Sequence, residues 1–106
     1  MNKIDPEFKK KWIAALLSGN YKQTIGCLRN LDGFCCLGVA CDIIDKTQWD
    51  FRDEIGRYYY KQSFCIPPYD TRNLIGLKDK SINQLVDMNE NGWTFLQIAR
   101  WIESDL

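Results

Sequence analysis

Apolar side chains return at helical spacing near the start of the chain: Phe8, Trp12, Ile13, Leu16 and Leu17, with Lys9, Lys10 and Lys11 largely off that stripe. Asp5 reads as an N-cap. Pro6 fits the first helical position, where its missing N–H is not needed, and Gly19 supplies a stop. The pattern predicts an amphipathic helix with its stripe in the core.

From Tyr21 to Arg29 the period changes. Thr24 and Ile25 favour strand and Gly26 weakens it, before an Asn30-Leu31-Asp32-Gly33 turn. The continuous apolar run after the turn is read as a buried helix from about Phe34 to Asp45, capped by Asp32, because it is longer than an ordinary strand. A hairpin through the Asp-Gly turn competes with that reading. The acidic stretch Asp45 to Glu54 reads as a loop anchored by Trp49 and Phe51. Arg57 to Ile66 reads as a strand, with Tyr58, Tyr60, Phe64 and Ile66 on one face and Tyr59, Lys61, Ser63 and Cys65 on the other. Pro67 and Pro68 end it, and Tyr69 to Leu77 is a short helix or turn stopped around Gly76.

In the last third, Ser81 with Gln84 and Thr94 with Gln97 match the capping-box spacing and mark two helix starts. Trp93 and Ile98 are spaced as a hydrophobic staple, and Asn91-Gly92 supplies a left-handed stop between the helices. Ile82, Leu85, Val86 and Met88, then Phe95, Ile98, Ala99 and Ile102, form the buried sides of a helical hairpin. The expected fold is α+β: one domain, residues 1–106, with a small antiparallel sheet packed against an N-terminal helix, a buried central helix and a C-terminal helical hairpin.

Composition narrows the chemistry. The 106 residues include 14 basic and 14 acidic side chains and no histidine. Histidine-dependent relays and zinc sites of mixed Cys/His type are therefore excluded. The zero net charge hides an alternation: residues 1–30 hold six basic and two acidic residues, 31–60 three and six, 61–80 four and two, and 81–106 one and four. The five cysteines, an odd number with Cys35 and Cys36 adjacent, read as reduced thiols used as small core hydrophobes. The charged start MNKIDPEFKK does not resemble a signal peptide, and no apolar run reaches membrane-spanning length, so a cytoplasmic location is expected.

Three constellations bear on function. Cys35-Cys36 at a helix start, or the carboxylates Asp42, Asp45, Asp50, Asp53 and Glu54, would be needed by a small cysteine- or carboxylate-dependent enzyme, but no spacing fixes a geometry. The C-terminal hairpin resembles a helix-turn-helix in outline, yet one Arg against four acidic residues would repel a DNA backbone, so it is read as packing. Bases interleave with aromatics and glutamine at Tyr21, Lys22, Gln23 and Arg29 and again at Arg57, Tyr59 and Lys61. If these segments paired on an open sheet face, lysine and arginine would neutralise phosphates and the rings would stack on bases. These seven residues are the candidate ligand-binding set; no catalytic residue, metal or cofactor is assigned.

The segments WIAALLSGNYKQ (Trp12, Ala15, Leu16, Ser18, Gly19, Tyr21, Gln23), FCCLGVACD (Phe34 to Asp42) and LVDMNENGWTFLQIARWIE resemble a family of small proteins of tailed bacteriophages and prophages. The resemblance covers most of the chain outside residues 45–70, and departs from the family pattern at Leu17, Glu90 and Thr94. It implies a viral accessory protein in the host bacterial cytosol and implies no reaction. By analogy with small phage proteins, the expected role is non-enzymatic: an anti-defence inhibitor that blocks a host protein. The alternative is a nucleotide-binding sponge that sequesters a nucleotide-derived signal, expected to act as an oligomer whose interface completes the pocket.

Overall fold

In the computed structural model, which describes residues 4–52 and 54–106, helix α1 (Pro6–Leu17) begins where the Phe8 N–H donates to Asp5 Oδ2 at 2.8 Å. Phe8, Trp12 and Leu16 are buried along it, but Leu17 is 51% exposed, so the stripe is narrower than its spacing suggested. Gly19 takes a positive φ of 80° just beyond the helix end, as expected of a stop.

The next segment departs from the simple readings. Strand β1 (Arg29–Asn30) and strand β2 (Gly33–Phe34) form a short hairpin, and helix α2 (Cys36–Asp45) follows immediately. Hairpin and buried helix, set against each other by the sequence, therefore coexist. Asp32 does not cap α2. Phe34 is held in the sheet region by its N–H on Lys22 O (2.8 Å) and its carbonyl under Thr24 N–H (2.8 Å), so the backbone is free to turn only at Cys35. The Cys35 side chain takes the cap position, its Sγ accepting from Gly38 N–H at 3.4 Å. Apart from an isolated bridge from Gln23 to Phe34, the Tyr21–Leu28 stretch is irregular.

After a 3-10 turn at Lys46–Gln48, strand β3 (Trp49–Arg52) occupies the stretch expected to be loop. It pairs with β4 (Arg57–Tyr60), completing a four-stranded antiparallel sheet of order β2-β1-β4-β3. The strand expected to reach Ile66 stops at Tyr60, because Lys61 and Gln62 both adopt positive φ (48° and 73°) and reverse the chain.

Helix α3 (Tyr69–Ile75) ends at Gly76, whose φ of 82° lets the Gly76 and Leu77 N–H groups both reach Arg72 O. That tight ending starts α4 (Asp79–Glu90) two residues before Ser81, so the Ser81–Gln84 pair lies inside the helix and caps nothing. Helix α5 (Phe95–Asp105) begins at the expected capping box: Gln97 N–H donates to Thr94 Oγ1 at 3.2 Å and Thr94 N–H to Gln97 Oε1 at 2.9 Å.

The described residues make a small α+β fold of five helices and one antiparallel sheet. α1 packs on α5 and on α2, and α2 packs on α4. One hydrophobic core includes residues from all five helices, with Trp12, Leu37, Ile82, Leu85 and Ile98 almost fully buried. Polar groups pin its centre. Trp12 Nε1 donates to Cys36 O at 3.0 Å, and buried Asn89 accepts from Cys36 N–H (3.3 Å) while donating to Thr24 O (2.9 Å). No described helix is long and apolar enough to cross a membrane.

Candidate functional site

Cross-strand register decides which candidate residues share a face, because directly opposed residues of an antiparallel pair project to the same side. Trp49 opposes Tyr60 and Phe51 opposes Tyr58, while Arg29 opposes Phe34 on the neighbouring hairpin. These form one face. Asp50 opposes Tyr59, Arg52 opposes Arg57, and Arg57 opposes Asn30; these form the other. Arg29 and Tyr59, expected together on an open face, are therefore separated by the sheet.

The first face is a cluster of rings closed over Arg29. Its guanidinium carbon lies 3.9 Å from the Tyr58 ring centre, 4.7 Å from Phe34 and 5.5 Å from Trp49. Asp42, reaching in from α2, accepts from Tyr21 Oη at 2.6 Å and from Trp49 Nε1 at 3.0 Å. Burial, reinforced by the Asp42 carboxylate, pushes the Tyr21 hydroxyl up to about 12. Tyr21 and Arg29 thus sit half-buried in a polar-aromatic knot, and Asp42 is engaged as its acceptor.

The opposite face is half-buried as well. Arg52 lies with its guanidinium carbon 4.2 Å from the Tyr59 ring centre and pairs with Asp50 through Nε at 2.8 Å. Arg57 lies 5.0 Å from the Phe64 ring centre, with no ion pair among the described residues. Lys61 belongs to the reversing turn and pairs with Asp70 at 3.6 Å. Lys22 is exposed elsewhere, its carbonyl holding Phe34 N–H. Gln23 is engaged inside the fold: its amide donates to Asn89 Oδ1 (2.9 Å) and Trp93 O (2.7 Å) and accepts from Phe95 N–H (3.1 Å).

Arg52 was outside the candidate set because WDFR reads as part of an acidic loop. Its alternation of Trp49 and Phe51 with Asp50 and Arg52 is nonetheless the period-two signal of a strand. Asp53, one of the clustered carboxylates, lies outside the described residues. Asp45 accepts from Thr47 and Gln48, and the Thr47 hydroxyl is the main cause of its lowered pKa.

Three concave features lie away from the sheet among the described residues, one of them, of about 660 Å³, lined by Ile4, Pro6, Tyr69, Leu74 and Leu77. Gln23, Thr24, Ile25, Asp32, Asn89, Gly92 and Trp93 line an open groove of about 450 Å³. Ile25 is 57% and Trp93 39% exposed at its rim, and Leu31 and Leu96, close to Asp32 and Trp93 in sequence, are also exposed. A smaller cavity of about 100 Å³ is lined by Cys27, Cys35, Cys36 and Cys65 together with Leu37 and Leu85. Burial pushes the Cys35 thiol up to about 12 and Cys36 well above its ordinary value, so neither is a ready nucleophile. Among the described residues no three acidic or cysteine side chains are grouped to hold a metal ion.

No curated protein and no solved structure matches the chain. A family model described as a domain of unknown function, DUF8296, matches residues 4–78, which span α1 to α3 and include the whole sheet. The chain belongs to the DUF8296 family.

Proposed function

We propose that this chain is a phage-type accessory protein that works by binding in the bacterial cytosol and antagonises host defence by blocking a host protein. The observation behind this reading is the groove between Ile25 and Trp93, whose rim keeps large apolar side chains in solvent. Exposed apolar patches of this kind mark interaction surfaces, and tryptophan is the residue type that most often anchors them. Asp32 lines the groove, while Asp87 and Glu90 lie on the adjoining α4, which suits a partner bringing an apolar protrusion bordered by basic residues. Binding is favoured over catalysis because the paired thiols are buried with raised pKa and Asp42 is already shared by Tyr21 and Trp49.

Capture of tagged protein from host lysate tests this. Wild type is expected to retain one partner in stoichiometric amount, and Trp93→Ala and Ile25→Asp are expected to lose it with unchanged melting temperature. Repeated recovery of wild type alone, or retention of the partner by both variants at the wild-type level, overturns the reading.

A further inference from the structure

We propose that Asn30, Arg57 and Arg52 form a binding site for a phosphate-bearing small molecule, independent of the groove beside Trp93. The three residues lie in one row across β1, β4 and β3, set by the pairings Asn30 with Arg57 and Arg57 with Arg52. Neighbouring strands are about 4.8 Å apart, so the three side chains leave the same side of the sheet from adjacent backbone positions.

Direct opposition of two like charges across a ladder is unfavourable on its own. Here Asp50 takes only Nε of Arg52, and Arg57 has no carboxylate among the described residues. Arg57 therefore faces Arg52 without a carboxylate of its own among the described residues, and an anion bound between the two would relieve their repulsion.

The donors are also held in place. Each guanidinium lies over a ring, Arg52 on Tyr59 at 4.2 Å and Arg57 on Phe64 at 5.0 Å. Stacking limits the side-chain freedom that anion binding would otherwise have to remove, and leaves N–H groups for a partner. At the third position Asn30 Oδ1 is occupied by the N–H groups of Asp32 (2.8 Å) and Gly33 (3.1 Å). That contact fixes the amide so that its remaining group, Nδ2, is a pure donor. Two guanidinium forks and one amide N–H match an oxyanion with several acceptor oxygens, and a diphosphate can engage both arginines at once.

The test titrates the full-length protein at low salt with inorganic phosphate, pyrophosphate, a nucleoside diphosphate and citrate, followed by calorimetry. Saturable pyrophosphate binding is expected, weakened at least tenfold by Arg57→Gln and by Arg52→Gln with unchanged melting temperature, and unaffected by Lys10→Gln on α1. If the nucleoside diphosphate binds tighter than pyrophosphate, the site takes nucleotides; if the two are equal, it takes the diphosphate group alone. Either result supports the proposal. Absence of saturable binding, wild-type affinity in both arginine variants, or citrate binding as tightly as pyrophosphate overturns it.

Discussion

Gly38, in the first turn of α2, lies against the carbonyl of Leu28 so closely that a Cβ at position 38 would collide with that backbone oxygen. The oxygen cannot easily retreat, because it accepts the Cys35 N–H at 3.0 Å while Leu28 N–H donates to Phe64 O at 2.7 Å. Gly38→Ala is therefore expected to destabilise the fold by about 3 kcal/mol or more, although alanine is the better helix former. Urea unfolding measures this, and a variant of wild-type stability would contradict the contact.

Asn89 is 1% exposed and joins three segments through Gln23, Thr24 and Cys36. Asn89→Ala leaves the Cys36 N–H and the Thr24 carbonyl without their partner, at a cost of about 2–4 kcal/mol. Asn89→Asp should fare no better, since a carboxylate cannot donate to Thr24 O. Denaturant midpoints of the two variants check both expectations.

Stability should decline in alkali. Tyr21 holds its proton to about 12 in the fold, against roughly 10 for a free tyrosine, so its contribution is complete below about pH 10 and is lost as pH rises through 12. Cys35, also raised to about 12, begins to lose its contribution lower, above roughly pH 8.5. Urea midpoints between about pH 7 and 11 should fall progressively. Tyr21→Phe should make the decline above about pH 10 shallower.

Thiol accessibility divides the cysteines. Cys65 is exposed, whereas Cys27, Cys35, Cys36 and Cys41 are buried with raised pKa. Iodoacetamide labelling of native protein should modify Cys65 at least roughly tenfold faster than the other four, and unfolding should erase the difference. Mass mapping of labelled peptides decides it.

Local signals in the sequence were reliable where one helix decided its own ends. Asp5 with Pro6 and Thr94 with Gln97 carry their hydrogen-bond partners within one turn, and both start helices as their spacing indicates. Ser81 with Gln84 has the same pattern but loses to the Gly76 ending of α3. Sheet register was the harder part. Strands of two and four residues carry too little alternation to fix their partners, so the separation of Arg29 from Tyr59 and the meeting of Arg52 with Arg57 depend on long-range pairing. Gln23 offers an amide that reads equally well as a ligand contact or an internal tie, and only the position of Asn89, Trp93 and Phe95 distinguishes them.

The packing of α1 on α5, with Lys9 Nζ donating to Glu103 O at 3.2 Å, has a consequence for the folding unit. The segment matched by the family model ends at residue 78, yet in this chain α1 and α2 bury their apolar sides against α5 and α4, which lie beyond it. A polypeptide cut after residue 78 would keep every strand and still leave those two sides wet. Cooperative unfolding therefore has to include the last two helices, and the contacts between α1 and α5 close a loop of nearly the whole chain, a sequence separation that slows folding.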